Sequence, residues 1–213
     1  MIIFLDYSFQ LCYAFSEVIA IARPKEFDRD IALQKAMQVF WVKGYEGTSV
    51  YDLIAAMDIS KSSLYQSFGS KQDLFLETIE LYLEFTDRKR CSVLAQATSV
   101  KEGMATFFDG VLRFVLDPTN PGGCFYTNTA TALGTLDQRI HEVIRRGSAK
   151  MESDFYQVLL QGQKKGELAP DKDVQALAQY FVSLTRGVSV MARINADRET
   201  LAAIVKTGLS VLD

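Results

Sequence analysis

The chain has 213 residues, 48% of them hydrophobic and 23% charged, with four prolines, the composition of an ordinary globular protein with one large domain or two small ones. Three scattered cysteines (Cys12, Cys91, Cys124) argue against a disulfide framework and fit a reducing cytoplasm, and a single histidine (His141) without a Cys-x-x-Cys pair argues against the usual zinc sites. No G-x-S-x-G turn accompanies His141, so a Ser-His-Asp hydrolase finds no support, and the net charge of −3 gives no whole-chain basic signature.

Residues 1–22 are the most apolar stretch. No positive charge precedes the run, as a signal peptide requires, and Asp6, Ser8, Gln10, Ser16 and Glu17 interrupt it, so it makes a poor membrane span. It reads either as an extra amphipathic helix or as upstream sequence from a misplaced start. Asp28 then caps a first helix carrying Ala32, Ala36, Val39 and Phe40 at core spacing, stopped at Gly44. Thr48 is expected to cap a short helix with Val50, Leu53, Ile54 and Met57, and Asp58-Ile59 make a tight turn. Ser60 caps a third helix holding Leu64 and Phe68, which Gly69 ends. Ser70 and Asp73 resemble a capping box that opens a fourth helix running to about Arg90 or beyond.

Further helices are expected over 101–116, 124–133, from a Thr135/Gln138 capping pattern to about Gln163, from a cap at Asp171 to about Asn195, and over 198–212. No strand-like alternation of useful length occurs. The fold class is all-α: an N-terminal three-helix unit with a helix-turn-helix, followed by a larger helical body.

The informative stretch is 48–68. Two short helices joined by a tight turn match helix-turn-helix geometry, whose second helix enters the DNA major groove. With Leu64 and Phe68 facing inward, Lys61, Ser62, Ser63, Tyr65 and Gln66 face outward: an ammonium, hydroxyls, a phenol and an amide, groups that bond base edges or phosphates. The bland alternative is a helical hairpin with a solvated outer face; serine and tyrosine are weak helix formers, which favours a face that touches something.

The run GYEGTSVYDLIAAMDISKSSLYQSFGSKQDLF resembles the N-terminal domain of the TetR family of bacterial transcriptional regulators over about residues 23–86. It does so in Gly44-Tyr45, Gly47-Thr48-Ser49, Ile54-Ala55, Ser63-Leu64-Tyr65 and Phe68-Gly69-Ser70-Lys71. The resemblance implies a basic arm at Arg23 and Lys25, phosphate contacts at Thr48, Ser49, Tyr65 and Lys71, and an outward Tyr51 that touches a base. Lys61, Ser62 and Ser63 take base-reading positions. Gln66 and Ser67 depart from the Tyr or Trp and His common in the family, a change that shifts operator choice.

The resemblance further implies that residues 91–213 bind an effector and dimerise, with the last two helices pairing with their symmetry mates. Small residues at Ala178, Gly187 and Ala202 would allow close approach. Candidate ligand-binding residues are Phe107, Val111, Phe114, Phe125, Thr129, Phe155 and Phe181, apolar positions with polar anchors, although such stripes are often simply core. The implied function is a cytoplasmic, homodimeric, ligand-responsive repressor of a pseudo-palindromic double-stranded DNA operator, released by a small organic effector. It is not an enzyme, and it needs no cofactor, metal or membrane. Two rivals stay open: a helical small-molecule binding protein that has lost DNA affinity, and a thiol switch at Cys124, which follows Pro121-Gly122-Gly123 at a helix start.

Charge within the chain is uneven. Residues 23–71 carry seven basic groups (Arg23, Lys25, Arg29, Lys35, Lys43, Lys61, Lys71) against six acidic ones. DNA affinity is therefore expected from a few placed cations, hydroxyls and helix N-termini rather than from a basic patch.

Overall fold

A computed structural model describes residues 27–133 and 137–213, and the expectations for Arg23, Lys25, Thr135 and residues 1–22 lie outside them. Among the described residues the chain is all-α, with nine helices and a terminal 3-10 turn. Helix α1 (Arg29–Lys43) begins where the Asp28 carboxylate accepts the Asp30 and Ile31 N–H groups. It ends at Gly44, whose φ of +72° suits a residue without Cβ.

Helix α2 (Val50–Met57) corrects one expected cap. Ser49, not Thr48, forms the reciprocal capping box with Asp52, while Thr48 turns inward, 1% exposed, and its hydroxyl donates to the Gly44 carbonyl oxygen at 2.6 Å. Thr48 thus closes the end of α1, and Ser49 opens α2. Asp58, in the left-handed region at φ 55°, makes the turn into α3 (Lys61–Phe68), capped by Ser60 and stopped at Gly69. Ser70 and Asp73 form the expected capping box of α4 (Lys71–Gln96). This helix runs unbroken through the expected boundary at 86–91, so the N-terminal unit and the body share one 26-residue helix.

The body comprises α5 (Val100–Val115), α6 (Phe125–Leu133), α7 (Gln138–Lys164), α8 (Val174–Ile194) and α9 (Arg198–Leu209). Asp137 caps α7, and Asp173 caps α8 where the sequence favours Asp171. Both Asp171 and Asp173 precede the apolar run, but only Asp173 stands two and three residues before the N–H groups of Gln175 and Ala176 that need an acceptor.

Two apolar cores result. The first joins α1–α4 to Cys124, Phe125, Tyr126, Ile140 and Val143, so the N-terminal unit is completed by side chains of the body. Phe40 meets Phe75 edge-on at 4.9 Å, and Phe75 meets Phe125 at 5.9 Å. Each such ring contributes roughly 1.5–3 kcal/mol by burial. The second core packs Phe107, Phe108, Phe155 and Phe181 between α5, α7 and α8, closed by Leu201 and Val205 of α9. Polar ties add to the first junction: Arg139 of α7 pairs with Asp73 at 2.8 Å, Arg146 pairs with Glu80, and the Gln72 amide donates to Asp137.

Candidate nucleic-acid interface and effector cavity

The outer face of α2 and α3 follows from which side chains their cores consume. Leu53, Met57, Leu64 and Phe68 are buried, leaving Tyr51 (73% exposed), Lys61, Ser62, Tyr65 (45% exposed) and Gln66 on the surface. Among the described residues the side chains of Tyr51, Lys61, Tyr65 and Gln66 have no hydrogen-bond or ionic partner. Ser63 is half-buried, and its hydroxyl, like that of Ser62, lies 2.8 Å from the Ser60 hydroxyl. Ser49 is exposed but committed to the capping box. Among the described residues Thr48 is the one expected contact whose side chain is buried, so only its neighbourhood, not its hydroxyl, faces outward.

Lys71 sits in the first turn of α4 with its ammonium 4.2 Å from the Tyr45 ring centroid, at a helix end that favours anions. Lys43 is spent on Asp52 at 2.5 Å, and this ammonium, together with Ser49, holds the Asp52 carboxyl well below the usual carboxylate range. One residue of this unit escaped the sequence reading. Arg29 stacks on Phe68 at 4.5 Å, donates to the Ser67 carbonyl oxygen and pairs with Glu77, fastening the end of α3 to α1 and α4. No periodicity marks a lone arginine for such a task.

A cavity of about 550 Å³ lies in the body between α4, α5, α7 and α8, a size suited to a small organic ligand. Phe107, Val111 and Phe114 line it as expected. Phe125, Thr129, Phe155 and Phe181 do not: Phe125 belongs to the first core against Trp41, Phe75 and Tyr82, Thr129 donates to the Phe125 carbonyl oxygen, and Phe155 and Phe181 fill the second core. Apolar spacing identifies the inward stripe of a helix but not which part of that stripe meets open space.

The polar part of the wall comes from Cys124, which the sequence marks as a candidate thiol switch, and from Tyr82 and Arg186, which it does not single out. The Tyr82 hydroxyl donates to the Cys124 sulfur at 3.2 Å, and burial, with Cys124 beside it, pushes the phenol well above its ordinary range, so it stays a donor. Cys124 is buried at the wall and serves as that acceptor, a packing position rather than an exposed thiol. Arg186 of α8 stacks on Tyr126, its guanidinium carbon 4.1 Å from the ring centroid.

A short helical hairpin whose second helix turns Lys61, Tyr65 and Gln66 outward without partners among the described residues, joined by one long helix to a hollow helical body, defines a DNA-binding regulator with a separate ligand-binding domain. Comparison with known proteins agrees. Residues 32–78 match the family described as bacterial regulatory proteins, tetR family, and residues 101–207 match the tetracyclin repressor-like C-terminal domain. The chain is 35% identical to the uncharacterized HTH-type transcriptional regulator YezE of Bacillus subtilis (91% of this chain, 100% of that protein). It is also 35% identical to the HTH-type transcriptional repressor ComR of Escherichia coli (88% and 90%). Among solved structures, CifR, a TetR family regulator complexed with a 26 bp double-strand operator DNA, superposes with a TM-score of 0.81 at 36% identity, covering 88% of this chain and 98% of that one. The protein belongs to the TetR family of bacterial transcriptional regulators.

Proposed function

We propose that the protein is a homodimeric transcriptional repressor that holds a pseudo-palindromic double-stranded DNA operator through α3 and leaves it when a small organic effector fills the cavity. The observation that carries this reading is the division of α3. Leu64 and Phe68 are buried, while Lys61, Tyr65 and Gln66 point outward without partners among the described residues. Arg23 and Lys25 would extend the contact as a basic arm, Ser49, Tyr65 and Lys71 hold phosphates, and Tyr51, Lys61, Ser62, Ser63 and Gln66 read bases. The CifR complex with operator DNA supports this use of the N-terminal unit.

Dimerisation is supported by α8. Tyr180, Val190, Met191 and Ile194 are exposed large apolar side chains on that helix, and a Cβ at Gly187 would meet open space. Ala178, by contrast, is buried in the chain's own core and offers nothing to a partner. A two-fold dimer brings two α3 helices to successive major grooves. The effector acts only if it binds one conformer better than the other.

The test is a gel shift on the DNA upstream of the protein's own gene, with and without candidate ligands, beside a measurement of mass in solution. A retarded dimer complex that ligand dissolves is the expected result. A monomer, or a dimer that retards no operator fragment, refutes the reading.

A further inference from the structure

The cavity wall holds more positive charge than its own carboxylates neutralise. Four cations line it, Lys89, Arg90, Arg113 and Arg186, against Asp87 and Asp117. Asp87 is bonded to Arg90, which also pairs with Asp154, and Arg113 pairs with Asp109. Asp117 accepts from the Thr119 N–H and hydroxyl. Lys89 lies over the Phe85 ring on the exposed side of α4. Arg186 alone of the four is both half-buried and without a carboxylate or carbonyl acceptor among the described residues.

Its guanidinium carbon lies over the Tyr126 ring, and among the described residues none of its N–H donors meets a hydrogen-bond acceptor. Tyr126 is itself fixed, because its hydroxyl donates to the Ile144 carbonyl oxygen and lies 2.7 Å from the Ser148 hydroxyl. The ring beneath the guanidinium is thus fixed before any ligand arrives. An uncharged apolar ligand filling the cavity would strip water from these N–H groups and return nothing, a costly exchange. A carboxylate would replace that water with a planar, two-point, charge-assisted bond.

We propose that the effector is a small organic carboxylate, its head held by Arg186 and its apolar body packed against Phe107, Val111 and Phe114. The proposal rests on the reading of the cavity as an effector site and names the class of ligand that site takes. A carboxylate fits better than a phosphate, because a single guanidinium edge meets a monoanion, and the other arginines of the wall are already paired.

The chain's single tryptophan reports occupancy, since the Trp41 ring lies 5.8 Å from Phe114 and 5.4 Å from Tyr82, both in the wall. The full chain is titrated with phenylbutyrate and decanoate, and with the uncharged amide of each, following Trp41 fluorescence. Saturable responses to the acids are expected, about ten- to hundredfold tighter than to the amides. Arg186→Gln should bring the acids to the amides' level while leaving the amides and the thermal melt unchanged, and Arg186→Lys should restore part of the preference. Equal affinity for acid and amide, an undiminished preference in Arg186→Gln, or no saturable response to either acid overturns the proposal. Gel shifts on the same mixtures separate it from the reading beneath it. Acids that bind yet leave the operator complex intact refute effector release while anion recognition stands. Amides that release the operator as well as the acids do the reverse.

Discussion

The indole N–H of Trp41 donates to the Gly122 carbonyl oxygen at 3.2 Å, joining α1 of the DNA-binding unit to the loop that precedes α6. The same ring stacks near Phe114 and meets Tyr82 edge-on, so one side chain touches the N-terminal core, the loop and two residues of the cavity wall. Trp41→Phe removes this bond, leaving the Gly122 carbonyl oxygen only the Asn128 amide at 3.3 Å, and replaces a buried ring system by a smaller one. A loss of about 1–3 kcal/mol in unfolding free energy is expected. Operator affinity without ligand should change little, while the effector concentration needed for release should rise. Denaturant melts and gel shifts check the two effects separately.

Lys71→Ala and Ser63→Ala should fail in different ways. Loss of a phosphate contact weakens all sequences alike and flattens the salt dependence by about 0.9 per contact, hence by about 2 for a dimer. Ser63→Ala should instead alter preference at one base position per half-site by about 1–3 kcal/mol and leave the salt slope unchanged. Binding measured across a salt series and a set of single-base operator variants distinguishes them. Wild-type behaviour from both would remove α3 and the α4 end from the interface.

Asp73 links acid sensitivity to the junction of the two units. Hydrogen bonds from Ser70 first, then the Arg139 guanidinium, lower its carboxyl to about 2 from 3.8. Because the folded value is the lower one, this group's stabilisation is complete above about pH 4 and disappears as the pH falls toward 2. Asp73→Asn should therefore melt below the wild type at neutral pH, with the gap closing through that window. A gap that stays constant down to pH 2 would show that the carboxylate charge is not its source.

Thr127 is a position where replacement should help. Its hydroxyl is buried and, among the described residues, is the side-chain polar atom left without a hydrogen-bond partner. Thr127→Val keeps the shape and removes the stranded group, so stability should rise or stay level by about 1 kcal/mol, read from chemical denaturation. A clear loss would mean that the hydroxyl finds a partner in solution.

Local signals were legible where a residue had one available task. Asp28, Ser60 and the Ser70–Asp73 pair cap the helices they were expected to cap, and the outward set on α3 follows from the inward Leu64 and Phe68. Where two neighbours were chemically equivalent, as with Thr48 and Ser49 or Asp171 and Asp173, only the backbone geometry decided which N–H groups each reached. The cavity was half legible for a related reason. Phe107 and Phe155 carry the same periodic signature, yet one meets open space and the other a neighbouring ring, a matter of tertiary packing. Arg29 and Arg186 gave no pattern at all, since their roles depend on aromatic partners 39 and 60 residues away.

Helix α4 gives the molecule a mechanical gain. It carries Lys71 in its first turn and Arg90 and Val93 of the cavity wall near its far end, with no break among its 26 residues. At 1.5 Å per residue it is a rod of about 39 Å, so a tilt of about 5° about its distal end sweeps the near end through about 3 Å. That stroke equals the length of a hydrogen bond. In the proposed dimer, a ligand that tilted the rod by that much would pull the two α3 helices out of register with the grooves they span.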